Sequence, residues 1–180
     1  ESYGSIFIGS TSGNATTTGH DNAVVGSYAF RTNTSGSLNS VLGVAALYSN
    51  TTGSNNTAVG YQAAYTNTTG NFNTAVGQQA LTNNSTANGS VAVGYQAAYT
   101  SNADNTVAIG YQTLKANTTG QENTAVGTVS FTSNTTGNYN TGVGLYSGYS
   151  NTTGSGNTYI GDNAGYLTTT GSKNTVIGRY

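Results

Sequence analysis

The chain has 180 residues, of which 5% are charged, with a formal net charge of −1 and no Pro, Cys, Met or Trp. Its four scattered cations, Arg31, Lys115, Lys173 and Arg179, cannot form the clustered basic surface that nucleic acid or an acidic membrane requires. No apolar run approaches the ~20 residues of a bilayer span, and the lack of cysteine excludes disulfides and thiolate metal sites.

From the N-terminus onward one short phrase returns. Asn56–Gly60, Asn73–Gly77 and Asn123–Gly127 all read Asn-Thr-Ala-Val-Gly, and Ser90–Gly94 and Thr106–Gly110 are looser copies. The closing glycine falls at Gly9, Gly26, Gly43, Gly60, Gly77, Gly94, Gly110, Gly127, Gly144, Gly161 and Gly178. The step is constant except between Gly94 and Gly110, where it is one residue shorter. A fixed short period of this kind is the mark of a solenoid. With the glycine as position zero, −1 is always Val, Ile or Leu, and +3 is always Ala, Ser or Thr. A disordered polar tract has no reason to keep two such columns, whereas stacked coils must lay the same shape on one another.

The run from −4 to −1 is short, bounded by Asn and Gly, and contains Thr and Val, so it predicts a strand. The run from +1 to +5, as in Tyr61–Tyr65, predicts a second strand, with the glycine as a corner needing positive φ or a close backbone approach. Asn-Thr-Thr-Gly at +7 to +10 predicts a tight return turn, and Ala87 and Ala103 depart from its glycine around the one short repeat. Large side chains alternate between +4 (Phe30, Leu81, Leu114, Phe131) and +5 (Tyr65, Tyr99, Tyr149, Tyr166), as though each coil has room for one. Asn22, Asn39, Asn56 and Asn73 at −4, with Asn123, Asn140, Asn157 and Asn174, are expected to stack as amide ladders, as are Gln62, Gln79, Gln96 and Gln112 at +2.

These columns predict an all-β fold, a parallel β-solenoid or β-roll of about 10–11 coils of about 17 residues, spanning 1–180 as a single repeat array. Position −1 is expected to face the interior. Position −2, mostly apolar as well, would then face outward, and a strand apolar on both faces is usually covered on both. A second copy of the chain is the expected partner. Glu1 starts in mid-loop and Arg179-Tyr180 stops just past a corner. Uncapped solenoid ends expose strand edges, so the array reads as a segment of a longer fibre that self-associates.

Site chemistry is sparse. His20 sits beside Asp21 in a loop and reads as a solvated group; Glu1, Asp21, Asp104, Glu122 and Asp162 are spread over different coils. No catalytic, cofactor-binding or metal site is expected, and the chain does not read as an enzyme. Asn-x-Ser/Thr sequons recur at +7 in Asn33, Asn50, Asn67, Asn84, Asn117, Asn134 and Asn151. They read either as turn-forming residues or as candidate glycan acceptors along one edge of a glycoprotein rod. Tyr61, Tyr95 and Tyr111 at +1 are candidate surface-contact aromatics, with a structural role as the plainer reading.

The motif Asn/Ser-Thr/Val-Ala-Val/Ile-Gly, followed by two variable residues and a small one, resembles the head repeats of YadA-type trimeric autotransporter adhesins. It is also similar to bacteriophage tail-fibre repeats, on runs such as Asn56–Tyr65 and Asn105–Leu114. The resemblance covers Ile6 to Gly178 and implies a left-handed β-roll, a side-by-side homotrimer, and display at a cell surface or on a virion. The copies here are longer than the usual adhesin repeat, with the extra residues in the Asn-Thr-Thr-Gly loop. The leading expectation is a structural extracellular fibre or filament segment, a stalk, shaft or spacer. An adhesin or receptor-binding module for surface glycans is the alternative. An ice-binding solenoid is a remote third, since its threonine column at −3 is interrupted by Val91 and Val107.

Overall fold

Each Asn-Thr-Ala-Val phrase places β-branched residues in a run too short for a helix turn to compete, and each becomes a three-residue strand. The computed structural model describes residues 4–179, so Glu1 and Tyr180 lie outside it. It contains β1 (Ile6–Ile8), β2 (Ala23–Val25), β3 (Ser40–Leu42), β4 (Thr57–Val59), β5 (Thr74–Val76) and β6 (Val91–Val93). β7 (Val107–Ile109), β8 (Thr124–Val126), β9 (Thr141–Val143), β10 (Thr158–Ile160) and β11 (Thr175–Ile177) complete the series. All eleven form one parallel sheet in sequence order. Like lies over like: Thr57 pairs with Thr74, Ala58 with Ala75 and Val59 with Val76. The register continues unbroken through the short repeat, where Val91 pairs with Val107. The chain is a parallel β-solenoid in which one repeat makes one coil.

The glycine corner carries both constraints that the sequence left open. Gly60 has φ +132°, and a Cβ there would lie 2.6 Å from the carbonyl oxygen of Gly77 in the next coil. No side chain fits such a corner.

The segment from +1 to +5 corrects the second predicted strand. It is a run of turns in which +2 and +4 adopt left-handed backbone, as in Gln62 (φ +54°) and Ala64 (φ +50°). Even Val129 (φ +50°) and Phe131 (φ +47°) do so, although such residues resist that region at a cost of roughly 1–3 kcal/mol each. The stack holds them there because their N–H groups bond along the axis. The Gln62 N–H donates to Val44 O in the preceding coil at 3.1 Å, and the Ala64 N–H to Ala80 O in the following coil at 2.9 Å. Ala63 N–H folds back onto Gly60 O at 3.3 Å. This path turns the adjacent side chains at +3 and +4 both inward, which a pleated strand cannot do.

The core therefore has three columns. Ala58, Ala75, Ala92, Ala108 and Ala125 at −2 face Ala63, Ala80 and Ala97 at +3 and Ala64, Leu81, Ala98, Leu114 and Phe131 at +4, all buried. This reverses the expected orientation of the strand: −2 points inward and −1 outward. From the coil of Gly60 to that of Gly127 the sheet side offers only alanine, even where Leu or Phe enters from the other, while Val24 lies with Phe30 and Val41 with Leu47, all buried. Where the sheet side is largest, +4 is glycine. Tyr159 at −2 faces Gly165 at +4, where a Cβ would fall 2.7 Å from the Tyr159 ring. Gly142 and Gly148 leave one coil without large inward side chains. Phe131 from the coil before and Tyr159 from the coil after, with ring centroids 5.6 Å apart, fill it.

Candidate functional site

Among the described residues no pocket and no metal-holding group of His, Cys, Asp or Glu is present; the recurrent features of the chain are columns and surfaces. The buried asparagine columns come first. At −4, the Asn39 side-chain amide donates to Asn22 Oδ1 (3.1 Å) and to Gly53 O (3.0 Å), and Asn22 Oδ1 also accepts the Asn39 backbone N–H at 3.0 Å. Asn140, Asn157 and Asn174 repeat the amide-to-amide bond. One amide thus ties its own coil across and the next coil along. The glutamine ladder also forms, with Gln96 donating to Gln79 at 2.9 Å and Gln112 to Gln96 at 3.0 Å.

The +7 asparagines form a further ladder. Asn50 donates to Asn33 Oδ1 at 2.9 Å and Asn67 to Asn50 Oδ1 at 2.8 Å; Asn134 and Asn151 continue it from Asn117. Each also donates to a glycine or alanine carbonyl three positions on, as Asn50 does to Gly53 O at 2.9 Å. Asn33, Asn50, Asn67, Asn84, Asn117, Asn134 and Asn151 are all 0% exposed. A glycan on any of these nitrogens would have to pass through the wall of the coil and displace the hydrogen bonds that close it. Of the two readings of these asparagines, the turn-forming one is the one this burial and bonding fit. The signal that could have found this is the Asn-x-x-Gly spacing itself, in which the side chain closes on the glycine as a local turn.

A third set of side chains lines the −6 column. Ser54 Oγ accepts the Ser37 N–H, Asn71 Oδ1 the Ser54 N–H, and Asn88 Oδ1 the Asn71 N–H, at 2.9–3.0 Å. This explains why Ser and Asn recur there: only an acceptor on a short side chain reaches the orphan N–H of the coil before.

The outward face of the sheet is an uncharged surface that runs the length of the described strands. The −1 column runs Ile8, Val25, Leu42, Val59, Val76, Val93, Ile109, Val126, Val143, Ile160 and Ile177, beside mostly Thr and Val at −3. Leu42 is 52% exposed and Ile109 38%. Monomeric proteins rarely leave contiguous apolar surface of this extent uncovered.

Tyr61 is exposed without a ring neighbour among the described residues, whereas Tyr95 and Tyr111 stack on each other at 5.4 Å and cover each other's inner faces. The +5 tyrosines form two further stacks, Tyr48 on Tyr65 and Tyr149 on Tyr166, each with centroids 5.0 Å apart. Arg31 caps the first of these, 5.7 Å over the Tyr48 ring and donating to its hydroxyl at 2.7 Å. The His20 ring bonds its neighbour Asp21, Nδ1 to Oδ2 at 2.8 Å, on the surface. Asp162 pairs with Arg179 at 3.3 Å, also at the surface.

Comparison with protein-family models, with curated proteins and with solved structures returns no match. The fold and its ladders define a parallel β-solenoid, and its notable features are those of surface and architecture.

Proposed function

We propose that the chain is a structural element, a rod-like segment of an extracellular or virion fibre whose copies lie side by side. The observation that carries this reading is the unbroken aliphatic column at −1, uncharged over eleven strands and turned away from the coil's own core. Ten strand spacings of ~4.8 Å give a face roughly 48 Å long. Burying it against the same face of another copy removes apolar side chains from water without desolvating any charge. The likeness of Asn56–Tyr65 to YadA-type head repeats and tail-fibre repeats supports the same assembly, a homotrimer. Rigidity along the axis comes from the bonded ladders, which give each coil side-chain ties to its neighbours in addition to the strand pairing.

Sedimentation of the chain tests this reading. A particle of several chains is expected, and a double variant Val93→Lys/Ile109→Lys should shift it to a monomer with an unchanged circular-dichroism spectrum, because both side chains point outward. A monodisperse monomer of the unaltered chain would sink the proposal.

A further inference from the structure

Tyr149 and Tyr166, half-buried on adjacent coils, lie with centroids 5.0 Å apart and planes inclined by only 4°. Tyr146 meets both rings edge-on, at 5.5 and 6.1 Å. Among the described residues the cluster holds no guanidinium, ammonium or carboxylate partner of the kind that Arg31 provides for Tyr48. Tyr159, by contrast, is buried and stacked on Phe131, which has no phenol. The molecule thus presents aromatic packing in three chemical settings: free Tyr–Tyr, close and parallel at Tyr149–Tyr166 and wider and more inclined at Tyr95–Tyr111 (5.4 Å, 19°), Arg-capped Tyr–Tyr, and Tyr–Phe.

We infer that the Tyr149–Tyr166 stack is a site of oxidative coupling, where a peroxidase with hydrogen peroxide joins two adjacent coils through a carbon–carbon bond. Each phenol gives up one electron and its hydroxyl proton, so that two phenoxyl radicals face one another. The rings bond through carbons ortho to the oxygens, and each ortho hydrogen moves to its own oxygen to restore the phenol. Net, the pair loses two hydrogen atoms and one hydrogen peroxide becomes two waters. The stack supplies what such a reaction needs, two phenols held together before either is oxidised, which turns an encounter of radicals into a step within one chain. The product fastens one coil to the next, Tyr149 to Tyr166, alongside the existing backbone bond from Ser150 N–H to Tyr166 O. At Tyr48 the positive charge of the guanidinium raises the cost of withdrawing an electron from the phenol it caps, so the Tyr48–Tyr65 stack is the slower pair. The coupling chemistry stands on ring geometry alone; its use as a fastening between coils rests on the structural-rod reading.

The test treats the full chain with a peroxidase and limiting hydrogen peroxide, then maps cross-linked peptides by mass and follows dityrosine fluorescence. The expected result is a dominant Tyr149–Tyr166 link, lighter by two hydrogens, whose yield per chain is unchanged on tenfold dilution. Tyr166→Phe removes that link and most of the fluorescence, and Arg31→Gln raises Tyr48–Tyr65 coupling several-fold. Links that fall in proportion to dilution, or oxidation confined to unstacked Tyr61 and Tyr139 with Tyr149 and Tyr166 intact, would overturn the proposal. Because the link is read within one chain, the outcome is independent of whether chains associate.

Discussion

The loop closed by Asn67 and the loop of the shortened repeat, Ser101–Asp104, do the same work with different atoms. In the regular loop the Thr68 carbonyl receives the N–H groups of Thr51 and Thr52 from the coil before, at 2.9 and 3.1 Å. The shortened coil has one residue fewer, and the Ser85 and Thr86 N–H groups bond no backbone carbonyl in it. There the Asn102 side chain supplies the oxygen, and Ser85 and Thr86 N–H both donate to its Oδ1 at 3.0 Å. The inner ladders are thinned as well. Ser90 takes the −4 place and bonds Ala103 O at 3.0 Å, while Thr106 Oγ1 is buried without a partner. Asn117 reaches Ser101 Oγ at 3.2 Å where elsewhere it would meet another amide. A coil can lose a residue, then, if a side-chain amide stands in for the missing peptide, and the sheet registers no disturbance.

This contrast can be broken from either side. The largest effect is expected at Asn50→Ala, which deletes three buried hydrogen bonds in a regular ladder; at about 1 kcal/mol each the loss is roughly 3 kcal/mol. The matching change in the short coil, Ser101→Ala, touches one such bond and should cost about 1 kcal/mol. Denaturant unfolding of the two variants compares them directly, and equal losses would mean that the ladders do not differ in strength. Asn102→Ala should cost about 1 kcal/mol and speed amide exchange at Ser85 and Thr86 while leaving exchange at Thr51 and Thr52 unchanged. Thr106→Val, which removes a buried hydroxyl without a partner, should be neutral or stabilise by up to about 1 kcal/mol; a clear loss in thermal melting would show that the hydroxyl is used. Smallest of all, inserting Thr between Asn102 and Ala103 to restore the regular repeat length should leave the melting temperature almost where it was, since so short a loop extension costs little.

Much of this was legible in the chain. The period, the corner glycines, the small residues at +3, the buried Asn22–Asn73 column and the Gln62–Gln112 ladder are repeated symbols, and repetition survives without any knowledge of geometry; that Asn56 and Asn73 join the column through their backbone N–H groups and not amide to amide was not among them. Orientation was harder to read. The expectation that the aliphatic at −1 points inward assigned Val59 and Val76 to the core, yet Ala58 and Ala75 are the buried residues of those strands. The left-handed turns left no trace in residue type, because Gln62, Leu81 and Val129 are ordinary residues forced into unusual backbone by bonds to neighbouring coils. The buried role of Asn33–Asn151 was visible in the spacing to glycine but shared its letters with a glycosylation sequon.

The coil with Gly142 and Gly148 has a consequence for how the chain finds its fold. A string of near-identical coils can pair out of step, each strand sliding one repeat along while keeping all its backbone bonds. Phe131, the two glycines and Tyr159 make one stretch of the interior unlike every other. Shifted by one repeat, the two rings would no longer meet over the coil of Gly142 and Gly148, and that space would be left unfilled. The aromatic pair thus acts as a tooth in a ratchet, letting eleven interchangeable rungs settle in a single frame.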